Sequence, residues 1–204
     1  MRNLNIIILF VALLLAGGAV AQDMRALFLD APDSIMPLLT PNNRADCVDF
    51  LDAGMRARVT NRFEGHSELL AISRDYMELR SSESSAMQMK LLPFKGDTII
   101  AVVRSVCAES CDSRITFYNR DWTMAGISFS RPSIEEFFAV PDSAGHLIDR
   151  CDIYLVQLRL SPADNSLQAE YTMPRYMNKA DSALVAPRLR TLRYRWESGA
   201  FVRE

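Results

Sequence analysis

Residues 97–122, DTIIAVVRSVCAESCDSRITFYNRDW, constrain the fold of this 204-residue chain more than any other stretch. Their first arm, Thr98 to Val106, carries Ile99, Ile100, Val102, Val103 and Val106. A β-branched run that dense is not expected to be wet on both faces of a sheet. The second arm alternates, Ile115 and Phe117 pointing one way and Thr116 and Tyr118 the other, which reads as a strand. Cys107 and Cys111 flank the loop Ala108-Glu109-Ser110 between the arms. Directly opposite residues of an antiparallel pair lie roughly 4.5–5.5 Å apart at Cα, within the roughly 4.4–6.8 Å that a disulfide spans. The stretch therefore predicts a hairpin stapled by Cys107 and Cys111. Loops of this length favour Gly or Asn at a left-handed position, where Ser110 is a poor substitute, and a bridge would offset that strain. Closing so short a loop contributes about 2 kcal/mol in the chain-entropy account. A redox dithiol favours C-x-x-C at a helix N-terminus. Here the cysteines are one residue further apart and flanked by strands, so the structural staple is preferred.

Oxidised cysteines suit a compartment outside the cytoplasm, and the N-terminus agrees. Arg2, an apolar run from Ile6 to Ala16 and Ala19-Val20-Ala21 read as a signal peptide cleaved before Gln22. The run is short of the roughly 20 residues needed to span a bilayer. No cysteine stands at the cleavage site, so a lipid anchor is not expected. Cleavage would leave 183 residues with 22 Lys and Arg against 25 Asp and Glu, a net charge of −3. That balance makes no case for nucleic acid as a partner, and no later stretch could cross a membrane. The expected location is periplasmic or extracellular. Cys47 and Cys151 either pair with each other or remain buried thiols.

Elsewhere helical and extended signals alternate. Met24 to Leu29 reads as a short helix, and Pro32-Asp33 as the start of another through Leu39. Asn43 is the expected N-cap of a helix from Arg44 to about Met55, with Cys47, Leu51 and Met55 on one stripe and Val48 beside them. Asp46, Asp49 and Asp52 take its other faces. A calcium loop would need a glycine and a terminal glutamate that are missing. From Val59 to Leu92 the period becomes two, a meander of about five strands with the hairpin. Met87, Met89 and Leu91 alternate with Gln88 and Lys90, which predicts a half-buried strand. Later, Ser133 and Glu136 match a capping box for a helix over Ile134 to Phe138, stopped by Pro141-Asp142. Strands are expected over 151–160, on Leu167, Ala169, Tyr171 and Met173, and on Leu192, Tyr194 and Trp196, with Ser198-Gly199 turning into 200–202. Met177 to Pro187 reads as irregular. The fold class is α+β, helices packed on one face of mostly antiparallel sheet, in an order that allows two successive helix-then-strands units. The divisions are a leader (1–21), helices plus meander (22–123), and a short helix plus strands (124–204), the last two able to form one continuous domain.

Leu91-Leu92-Pro93, Asp97-Thr98, Cys107 with Cys111, and Ser113 to Tyr118 through Asp121-Trp122 carry a likeness. On these residues the chain resembles a domain-of-unknown-function family of exported proteins from anaerobic Gram-negative, Bacteroidales-type bacteria. The resemblance covers nearly all of the chain beyond the leader and implies no activity. In architecture alone, the element order is similar to the tandem units of the β-lactamase-inhibitor-protein fold.

The residues that carry chemistry are sparse. His66 and His146 are the two histidines, each alone beside a glycine, with no cysteine at ligand spacing and no G-x-S-x-G serine. No glycine-rich loop could cradle phosphate. No catalytic residue, cofactor or metal ligand is therefore assigned. Arg188, Arg190, Arg193 and Arg195 form a basic cluster, with Arg193 and Arg195 on one strand face. A solvated face is its simpler reading. Asp33-Ser34-Ile35, Asp97-Thr98-Ile99, Asp142-Ser143-Ala144 and Asp181-Ser182-Ala183 match an O-glycan acceptor pattern of some such bacteria. The preferred function is a non-catalytic module binding an unknown protein or small ligand. Its contact would lie on the sheet face away from the helices, with Arg114 and Tyr118 on the hairpin and Arg193 and Arg195 as further contacts. The alternative is an extracytoplasmic hydrolase or thiol-disulfide enzyme with dispersed residues.

Overall fold

Strand β5 (Asp97–Cys107) is buried on both faces from Ile99 to Val103, as its unbroken apolar run requires. It pairs with β6 (Cys111–Tyr118) so that Cys107 faces Cys111, and the two are disulfide-bonded. No residue of the loop takes a positive φ. Ala108 N donates to Ser110 O at 3.0 Å, so the expected left-handed position is not used. Ser110 serves elsewhere: its hydroxyl donates to Thr172 O at 2.7 Å. Thr172 Oγ1 in turn accepts from Cys111 N and donates to Cys111 O. The hairpin tip is thus tied to the second half of the chain.

The computed structural model describes residues 23–140 and 145–204. The leader expected over 1–21, the Pro141-Asp142 stop and the Asp142-Ser143-Ala144 tripeptide fall outside the described residues. Helices α1 (Met24–Asp30) and α2 (Pro41–Asp52) precede a meander of β1 (Ala57–Thr60), β2 (His66–Ile72), β3 (Tyr76–Arg80) and β4 (Ser85–Phe94), then β5 and β6. All neighbours are antiparallel, in order β1 to β6. A 3-10 turn (Glu135–Phe137), α3 (Gly145–Ile148), β7 (Val156–Leu160), β8 (Ser166–Tyr171), α4 (Lys179–Val185), β9 (Leu192–Glu197) and β10 (Ala200–Arg203) follow. The last four strands form a second antiparallel sheet, β10-β9-β8-β7.

Four segments differ from the sequence expectation. Helix α2 starts earlier: Thr40 caps it, accepting from Asn43 N at 3.1 Å, while Asn43 Oδ1 accepts from Thr40 N at 3.1 Å, with Pro41 at the first position. Residues 32–39 form turns rather than a helix. The Ile134–Phe138 helix shrinks to the 3-10 turn, and Lys179–Val185, expected to be irregular, is helical behind an Asn178 cap that accepts from Asp181 N.

Two cores sit on opposite faces of the six-stranded sheet. On one, Met24, Leu27 and Phe28 of α1 and Cys47 and Val48 of α2 pack on Met77, Met89, Ile100 and Val102. On the other, Ile99, Ala101, Val103 and Phe117 meet Val156, Leu158, Leu167, Ala169, Tyr194 and Trp196 of the second sheet. The face expected to be free for a partner is therefore covered. The same cover explains Lys90, expected on a wet face but only 2% exposed. Its Nζ lies 2.9 Å from Asp75 Oδ2 and donates to Pro162 O at 3.4 Å. Two N–H groups of β7 are satisfied by side chains of the larger sheet, Val156 N by Asp112 Oδ1 and Leu160 N by Gln88 Oε1, each at 3.0 Å.

The β9–β10 turn fastens this layer to the β4–β5 turn. Trp196 Nε1 donates to Pro93 O at 2.7 Å, and Gly199 adopts φ +98° against Phe94. A Cβ on Gly199 would lie 2.7 Å from the Phe94 ring, whereas Gly54, also at positive φ, has nothing within 4 Å. Gly54→Ala should cost about 1 kcal/mol from its backbone alone, and Gly199→Ala about 2–3 kcal/mol because the ring must also move. Urea midpoints of the two variants measure the difference; equal losses would show that Phe94 yields freely.

Candidate functional site

The hairpin register that brings Cys107 to Cys111 also sets Arg104 opposite Arg114. Opposite residues project from one face of a sheet. That face is the helix side, because Arg104 Nη2 donates to Ile35 O, between α1 and α2, at 3.2 Å. The carbonyl takes one of five guanidinium donors. Arg114 is exposed. Among the described residues neither arginine has a carboxylate in an ion pair. Asp112, the nearest acid along β6, is occupied by Arg131 and by Val156 N. Two like charges set opposite each other destabilise a ladder, and the Ile35 carbonyl offsets only part of the charge on Arg104.

Beside Arg104 lies a cavity of about 190 Å³. Ile35, Met36 and Leu39 form one wall, and Leu79, Met87 and Val106 another. Val106, two residues on from Arg104 and so on the same face, is 65% exposed. Arg114 borders a second groove, of about 540 Å³, with Ile127 and Phe129.

The other residues singled out from sequence are placed differently. Tyr118 shares the helix face with Arg114 but is half-buried, packing on Trp122 with ring centroids 6.0 Å apart. Arg193 and Arg195 lie on the outer face of the second sheet, where Glu204 pairs with them at 3.7 and 2.7 Å. They join no site with Arg114. Arg104 was not singled out, although its register was legible: it stands three residues before Cys107, as Arg114 stands three after Cys111. His66 opens β2 and His146 lies in α3, both exposed. Among the described residues no three His, Cys, Asp or Glu gather as a metal site would require.

The cysteines divide between the cores. Cys47 belongs to the helix-side core and Cys151 to the inter-sheet core, so the six-stranded sheet separates them, and both are free thiols. Burial pushes the Cys47 thiol up to about 11 and raises that of Cys151. Neither supplies thiolate near neutral pH. A thiol reagent at pH 8 should label no residue of the folded protein and two per chain in guanidinium. Labelling of the folded protein would place a reactive thiol where none is expected.

These features define an α+β protein of helix, sheet and sheet layers, with an uncompensated cationic pair beside an apolar cavity. The chain belongs to the family described as "Protein of unknown function (DUF3256)", whose model matches residues 16–201. Among solved structures it is similar to one described as "Structure of a domain of an uncharacterized protein from Porphyromonas gingivalis W83". The TM-score is 0.74 at 26% identity, over 91% of this chain and 99% of that one. No curated protein matches the chain. The family agrees with the expected unknown-function domain and the neighbour with its Bacteroidales character. Neither bears on export or on tandem inhibitor-like units. Among the described residues, no helix is long and apolar enough to cross a membrane.

Proposed function

We propose that this is an exported, non-catalytic binding module that holds an anionic group at Arg104 and Arg114. The observation that carries the reading is the cross-strand arginine pair without a carboxylate partner. The like charges weaken the ladder, and an anion accepting from both guanidinium groups would relieve their repulsion through charge-assisted hydrogen bonds. The Cys107–Cys111 disulfide, and the signal-peptide pattern of the first 21 residues, support an oxidising compartment. Its place at the end of a strand ladder supports the structural role over the redox one. At fixed ionic strength, replacing chloride by sulfate should raise the melting midpoint of the wild type. Sulfate stabilises proteins generally by exclusion from their surface, so Arg114→Glu should keep that common rise but lose the excess over it, and, by pairing with Arg104, gain about 0.5 kcal/mol of stability without sulfate. A wild type that responds to sulfate no more than Arg114→Glu does would refute the reading.

A further inference from the structure

We infer that the ligand is a free, single-chain anionic amphiphile, its headgroup on Arg104 and Arg114 and its apolar end in the adjoining cavity. The inference rests on the anion site just proposed and adds the ligand's class. Arg104 supplies the link, since the same side chain faces Arg114 across the ladder and lines the cavity. The cavity walls are Ile35, Met36, Leu39, Leu79, Met87 and Val106, with Arg104 as the one charged group among the lining residues. A small inorganic anion would leave that surface uncovered, and a neutral apolar molecule would leave the guanidinium groups uncompensated. Charge on one side and apolar walls on the other select a molecule that carries both.

Size limits the tail. Dry apolar cavities of roughly 150 Å³ hold a benzene molecule, so about 190 Å³ suits a ring or a short run of methylenes. A chain of about eight carbons would fill it, and a longer chain would extend past the exposed Val106. An acidic peptide satisfies the arginines equally well but has no reason to depend on chain length. A bilayer presents its anionic groups with the acyl chains already buried elsewhere.

Titration calorimetry on the folded chain, with acetate, butanoate, hexanoate, octanoate and decanoate below their micellar concentrations, tests the assignment. Affinity should rise about four-fold per methylene and level off near octanoate. Octyl phosphate should bind like octanoate, and octanol at least ten-fold more weakly. Arg104→Gln should remove the preference for octanoate over octanol. Val106→Asp, at an exposed position, should flatten the chain-length series. If sulfate stabilises the wild type more than Arg114→Glu but acetate and octanoate bind alike, the amphiphile assignment fails while the anion site stands. If no anion acts, both fail. Binding to phosphatidylglycerol vesicles or to polyglutamate without a response to octanoate would also overturn the assignment.

Discussion

Phe117→Ala is expected to lower stability by about 3–5 kcal/mol, among the largest losses any single truncation here should produce. Phe117 is 1% exposed and lies between the sheets, its ring centroid 5.7 Å from that of Trp196 and 6.2 Å from that of Phe201. Its removal leaves a void bounded by β5 on one side and by β9 and β10 on the other, and two hydrogen-bonded sheets cannot both collapse into it. Phe28→Ala, on the helix side, should cost a similar amount. Because β5 carries both cores, each variant should unfold in one transition by fluorescence and far-ultraviolet dichroism alike. Separate transitions for residues before and after Trp122 would mean that the two halves fold independently.

The second expected result concerns Lys90, where removing either partner of one ion pair should give opposite outcomes. Asp75→Ala leaves a buried ammonium with the Pro162 carbonyl alone and should cost about 2–3 kcal/mol. The figure is at the low end for a buried pair because the Asp75 side chain is half exposed and water can partly replace it. Lys90→Met keeps the volume, removes the charge, and should be neutral or stabilising by about 1 kcal/mol. The double variant Lys90→Met with Asp75→Ala should recover most of the loss. Denaturant midpoints for the three variants decide it; a destabilised Lys90→Met would mean that the pair contributes more than its desolvation costs.

Lys90 also marks the limit of what a local pattern carries. Met87-Gln88-Met89-Lys90-Leu91 has the period of a half-buried strand, and Met87, Met89 and Leu91 are indeed buried. What covers Gln88 and Lys90 is β7, some seventy residues later, whose Leu160 N bonds to Gln88. No local pattern carries that information. Nevertheless, a sign was present. The run from Ile99 to Val103 called for cover on both faces, and the helices could supply only one. The missed α4 buries Val185 alone, which leaves no periodic stripe to read, and the α2 start was misplaced because Asn43 is a good cap in its own right. The candidate site was half legible. Arg114 stood out on a strand, but its partner Arg104 sat within an apolar run and drew no notice.

What the chain alone determines is local. Hydrophobic period, turn residues and cysteine spacing settled the stapled β5–β6 hairpin, the antiparallel order of the meander and the β9–β10 turn, because each depends on neighbours within a few residues. The stacking of the second sheet on the first, the separation of Cys47 from Cys151, and the cavity beside Arg104 were decided by tertiary structure. Those features arise from apolar faces meeting across long stretches of chain, and burial is non-directional: it rewards any face that excludes water, so the pattern along one strand does not name its cover.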